Sequence, residues 1–73
     1  MSFGPVKHSL TLRGHRTSVT LEPEFWDAFR AIAETEGLAL NSLAIRIDEA
    51  RTPGTNLASA IRVFVLQQGQ AGS

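Results

Sequence analysis

Apolar and polar positions first alternate and then recur at helical spacing, which divides the chain into a short β segment followed by three helices. Ser9-Leu10-Thr11-Leu12 alternates. So does Arg16-Thr17-Ser18-Val19-Thr20-Leu21, with Thr17, Val19 and Leu21 on one face and Arg16, Ser18 and Thr20 on the other. The parity does not carry across Gly14, because in one unbroken strand Leu10 and Leu12 would share a face with Arg16. Gly14 is therefore a bulge or a turn, and a bulge or break is favoured. Pro23 suits the first turn of a helix, where its missing N–H costs nothing. Glu22, Glu24 and Asp27 complement the positive helix start. Phe25, Phe29, Ile32 and Ala33 then fall on one helical face, and Gly37 is a natural C-terminal stop. Leu40, Leu43, Ala44 and Ile47 predict a second helix from about Leu40 to Arg51, ended by Thr52-Pro53-Gly54-Thr55. Thr55 or Asn56 caps a third helix with Leu57, Ala60, Ile61, Phe64 and Val65 on one stripe. Residues 1–8 read as a flexible arm, 9–68 as the domain and 69–73 as a disordered tail.

Length turns this element list into an argument for a partner. Seventy-three residues make at most one domain. A domain so small buries only about 60% of the surface of its unfolded chain. Such chains lean on disulfides, a metal or oligomerisation. Cysteine is absent, and His8 and His15 are the only imidazoles, with no acid or thiol at metal-ligand spacing. The two histidines read as surface or groove-side polar residues, and no metal or cofactor is expected. Oligomerisation remains. A lone strand also leaves its backbone groups unpaired, and the economical solution is antiparallel pairing with the same strand of a second copy about a two-fold axis. Thr17, Val19, Leu21, Phe25, Phe29, Ile32, Leu40, Leu43 and Ile47 are then the expected dimer core, with Trp26, off the main stripe, sealing its edge. Val63 and Leu66 widen the apolar arc of the third helix, so Ile61, Val63, Phe64 and Leu66 are an expected assembly surface. The helix either crosses onto the partner protomer or joins dimers into tetramers or larger rings, the second being slightly favoured.

Net charge is zero, which alone argues against a nucleic-acid partner, but the charge is segregated. Residues 1–16 carry Lys7, Arg13 and Arg16 and no acid. Residues 17–36 carry Glu22, Glu24, Asp27, Glu34 and Glu36 against Arg30 alone. Pairing two arms would gather positive charge on one face. Lys7 and Arg13 are candidate phosphate contacts, weighed evenly against idle surface charges. No nucleophile–base–acid set and no Gly-rich phosphate loop is present, so an enzyme is not expected. No apolar run approaches a membrane span or a signal peptide, which predicts a cytoplasmic protein.

The stretch RTSVTLEPEFWDAFRAIAETEGLALNSLAIRID resembles the ribbon–helix–helix family of the Arc and MetJ repressors. The segments HRTSV, PEFW and NLASAIRVFVL are similar to a bacterial, antitoxin-like subgroup with an extra C-terminal helix, and that likeness runs from about Lys7 to Gln68. It implies a mainly α fold with a short β-ribbon, as an intertwined homodimer plus a third helix. It also implies sequence-specific binding of double-stranded DNA, with a two-stranded ribbon in the major groove. Arg16, Ser18 and Thr20 match the base-reading positions. Leu40, Asn41 and Ser42 match the helix start that clamps a phosphate with free N–H groups. Two departures weaken that reading. Ala39 stands where the family commonly has Ser or Thr, and Thr20 where a long basic or amide side chain is frequent. The expected function is a transcriptional repressor or an antitoxin-type regulator with a toxin partner. The alternative is a ribbon–helix–helix oligomer that has lost DNA binding and serves as a protein-interaction or assembly module.

Overall fold

The computed structural model describes residues 4–71, so residues 1–3 of the expected arm and 72–73 of the expected tail lie outside the described residues. The elements are β1 (Val6–Leu12), β2 (His15–Leu21), α1 (Pro23–Thr35), α2 (Leu40–Ala50) and α3 (Leu57–Ala71). β1 and β2 form an antiparallel two-stranded ribbon, pairing Val6 with Leu21 at one end and Leu12 with His15 at the other.

Both strands of this ribbon come from one chain, which corrects the expectation that the chain offers a single strand. The cause is the two-residue connection. Arg13 (φ 53°) and Gly14 (φ 80°) both occupy the left-handed region. That is the type I′ pattern, whose twist matches the twist of a hairpin. Gly14 is thus a turn and not a bulge. Folding back there also resolves the parity conflict, because Leu10 faces Thr17 and Leu12 faces His15 on the inner side of the ribbon. Val6, Lys7 and His8, expected in the loose arm, are paired β residues. At the other end α3 runs to Ala71, past the expected helix limit.

α1 begins with Pro23 at its first turn and ends in a hydrogen-bonded reversal. Leu38 N–H donates to Ala33 O (2.9 Å) and Gly37 N–H to Glu34 O (3.1 Å), with Gly37 at φ 69°. This Schellman arrangement returns Leu38 to the core. α2 stops at a clamp built on Arg51. Its Nε donates to Asp48 Oδ1 (2.7 Å) and its Nη1 to Thr55 O (2.7 Å), which fixes the turn into α3. Asn56 caps α3 by accepting Ser59 N–H at 2.8 Å.

All five elements contribute to one core, namely Leu10, Val19, Leu21, Phe29, Ala33, Leu43, Ala44, Ile47 and Ile61. This closes within a single chain. Of the residues assigned to a dimer core, Val19, Leu21, Phe29, Leu43 and Ile47 are already buried here, and Thr17, Phe25, Ile32 and Leu40 are half-buried. Ile61, assigned to assembly, has no exposed surface because α3 lays it between α1, α2 and β2, and Phe64 is half-buried beside it. Val63 (51% exposed) and Leu66 (59%) stay on the surface.

Candidate nucleic-acid interface

The hairpin separates its residues by face. The inner face carries the apolar positions and His8, whose ring stacks on Trp26 of α1 at 3.7 Å and 3° between planes. Trp26 therefore packs under its own ribbon. The outer face carries Lys7, Ser9 and Thr11 on β1 and Arg16, Ser18 and Thr20 on β2, all exposed. They stand in cross-strand pairs Lys7–Thr20, Ser9–Ser18 and Thr11–Arg16. Every position is polar, two are cationic and none is acidic, and no carboxylate occurs between Val6 and Leu21.

The structure brings Arg16, Ser18, Thr20 and Lys7 together on this face. Arg13 is different. It sits at the turn tip with its guanidinium ion-paired to Glu49 of α2, so its charge is already matched. Arg51 pairs with Asp48 and Arg62 with Glu22 (2.8 Å). Among the described residues Lys7, Arg16, Arg30 and Arg46 make no ion pair, and two of these four cations stand on the outer face of the ribbon.

Leu40, Asn41 and Ser42 open α2, whose N-cap Ala39 supplies no side-chain hydrogen bond. The N–H groups of such a first turn have no intrahelical partner and favour an anion. Asn41 does more than expected of it: its Oδ1 accepts Thr11 N–H at 3.3 Å, which ties the start of α2 to the outer edge of β1. Beside the other strand, a groove of about 740 Å³ runs along the free edge of β2. Its far wall comes from the α2–α3 corner, including Asp48, Arg51, Leu57 and Ala58. Arg62 closes one end, donating from Nη2 to Thr20 O (3.2 Å) and from Nε to Glu22 Oε1 (2.8 Å). The hydrogen bond from Arg62 holds the Glu22 carboxyl below its usual value of 4.5, and its charge acts in the same direction.

The order of these elements and the ribbon face agree with one known domain class, the ribbon–helix–helix domain, which matches residues 5–68. The chain belongs to the ribbon–helix–helix family. No curated protein and no solved structure matches it. Ribbon–helix–helix domains are regulatory DNA-binding modules and typically form dimers, so membership supports a DNA-binding regulator in general. Among the described residues no helix is long and apolar enough to cross a membrane.

Three features of this ribbon–helix–helix chain escaped sequence reasoning. Ser9 and Thr11 belong to the polar face. The signal for them was the Arg13-Gly14 pair between two alternating runs, which is the spacing of a two-residue hairpin. The Arg51 clamp and the Arg62 bridge span loops and left no local pattern.

Proposed function

We propose that this chain is a sequence-specific DNA-binding transcriptional regulator, of repressor or antitoxin type, acting as a homodimer in the cytoplasm. The observation that carries this reading is the outer ribbon face, where six exposed polar residues stand together, two of them cations without an ion pair and none an acid. Arg16 is the base reader, because a guanidinium can donate two hydrogen bonds to guanine. Ser18 and Thr20 donate or accept beside it. Lys7 and the N–H groups of Leu40, Asn41 and Ser42 hold phosphates. Arg13 contributes less, since Glu49 must release it first.

Enrichment of random duplexes, followed by gel shifts on the selected site, tests this. Arg16→Ala is expected to cost on the order of 1–3 kcal/mol and to relax preference at one position of each half-site. Failure to enrich any sequence, with binding no better than to random duplex, overturns the reading.

The second reading is an assembly or protein-docking module, and the exposure of Val63 and Leu66 favours it. These two side chains would meet a second dimer or a toxin. Light scattering decides for self-assembly if Val63→Ser with Leu66→Ser lowers the mass of the particle to that of a dimer.

A further inference from the structure

The outer face of the ribbon consists of cross-strand rows. The row beside the turn pairs Thr11 with Arg16, the middle row Ser9 with Ser18, and the row at the open end Lys7 with Thr20. Each end row carries one of the two cations. The rows of Arg16 and Thr20 lie roughly 13 Å apart along the strand. In an antiparallel ladder alternate residues turn N–H and C=O away from the partner strand. With Leu12 and His15 flanking the turn, those residues are the same ones whose side chains form the outer face. A neighbouring helix can therefore hold an outer-face residue by its main chain and leave its side chain free for DNA.

Two helices do so, one at each end. Asn41 of α2 accepts Thr11 N–H at Oδ1 (3.3 Å), in the turn row. Arg62 of α3 donates from Nη2 to Thr20 O (3.2 Å), in the open-end row. Among the described residues no other side chain bonds the main chain of the ribbon. Each hold is reinforced. α2 also takes the turn tip through Glu49 and Arg13. Arg62 is fixed by its second bond, from Nε to Glu22 Oε1 (2.8 Å). A guanidinium is a rigid planar fork, so bonds from two of its nitrogens leave it little freedom. Glu22 is the residue that opens α1, so α3 grips the corner between β2 and α1 from both sides.

We propose that Asn41 and Arg62 are positioning residues of the DNA-binding face, Asn41 for the row of Arg16 and Arg62 for the row of Thr20 and Lys7. This deepens the DNA-binding reading and rests on it. A two-stranded ribbon is marginally stable by itself. A base contact needs its backbone held to within about half an ångström. The two side chains meet that ordering cost before DNA arrives, which is the general source of affinity from a preorganised surface. Because they act at opposite ends, each governs its own row. α3 is then part of the reading apparatus as well as cover for the core, and Arg62 is the residue through which it acts.

Full-length Asn41→Ala and Arg62→Met test this with and without DNA. Asn41→Ala keeps the main-chain N–H groups at the start of α2, so it isolates the side chain. In the free protein, Thr11 amide exchange is expected to accelerate in Asn41→Ala and to keep its wild-type rate in Arg62→Met. The carbonyl carbon resonance of Thr20 is expected to move in Arg62→Met alone. An unchanged Thr11 exchange rate in the first variant, or an unchanged Thr20 resonance in the second, overturns the hold at that row. On duplexes enriched by the wild type, Asn41→Ala should lower base preference roughly five- to ten-fold at the position that Arg16→Ala identifies. It should spare the position that Thr20→Ala identifies, and Arg62→Met should do the reverse. Asn41→Asp restores an acceptor for Thr11 N–H. It should regain the preference at the Arg16 position even though its negative charge weakens binding to all sequences. A merely structural role would weaken all sequences alike in both variants. That outcome, or relaxation of both positions by both variants, overturns the proposal. A wild type that enriches no sequence overturns the DNA-binding reading instead, and the exchange and resonance pattern then still decides for or against the two holds.

Discussion

Gly14 adopts φ 80° with nothing within 4 Å of where a Cβ would stand, so only the backbone resists a side chain there. A left-handed conformation costs an L-residue roughly 1–2 kcal/mol. Gly14→Ala is therefore expected to destabilise by about that amount without disturbing the core, read as a lower urea midpoint at unchanged slope. Glu22 gives a pH effect at the same scale. Arg62 depresses its carboxyl below 4.5, the value it regains on unfolding. The stabilisation from this pair is complete above about pH 4.5 and is lost as pH falls through the lower folded value. Urea midpoints between pH 7 and 3 should fall on the acid side in the wild type, and less steeply in Arg62→Met. Parallel curves would show that the pair does not couple to folding.

At the scale of elements, α3 is the piece whose role changes most. Ile61 has no exposed surface and lies in the same cluster as Phe29 and Leu43. Ile61→Ala should cost about 2–5 kcal/mol, since it leaves a cavity under three elements. Val63→Ser and Leu66→Ser, on the far side of the helix, should stay within about 0.5 kcal/mol. Thermal melts of the three variants separate a core helix from a peripheral one. The helices themselves were legible in the chain: the stripe Phe25–Phe29–Ile32–Ala33, Pro23, Gly37 and Asn56 mark starts and stops that the structure keeps. The hairpin was only weakly marked: the two-residue Arg13-Gly14 spacing between alternating runs allows it, but Arg is an unusual residue at the left-handed position that the turn requires. A stripe could not tell which partner it meets. The stripe already set Ile61 apart from Val63, but only the packing of α3 shows that Ile61 meets β2, α1 and α2 of its own chain and not a second copy. The outward face was half visible: Arg16, Ser18 and Thr20 follow from alternation alone, whereas Ser9, Thr11 and Lys7 join them only once β1 folds back.

For the whole molecule, zero net charge and a basic face are compatible because most charges are consumed in pairs or carried elsewhere. Salt dependence should accordingly track particular residues and not total charge. Lys7→Ala and Arg16→Ala are expected to flatten the dependence of DNA affinity on ionic strength, while Arg30→Ala on α1, an equal change in charge, leaves it unaltered. An equal response from all three would mean that the field of the whole chain, and not the ribbon face, attracts the nucleic acid. The stack of His8 on Trp26 has a practical consequence. Trp26 is the sole tryptophan and tyrosine is absent, so ultraviolet emission from this protein comes from one indole. That indole lies flat against an imidazole of β1, which places an intrinsic optical probe at the contact between the ribbon and α1. Lifting the hairpin from the helices, by denaturant or by a destabilising substitution, should change Trp26 fluorescence before or together with helix loss. His8→Leu should shift the native emission while leaving that of the unfolded chain the same.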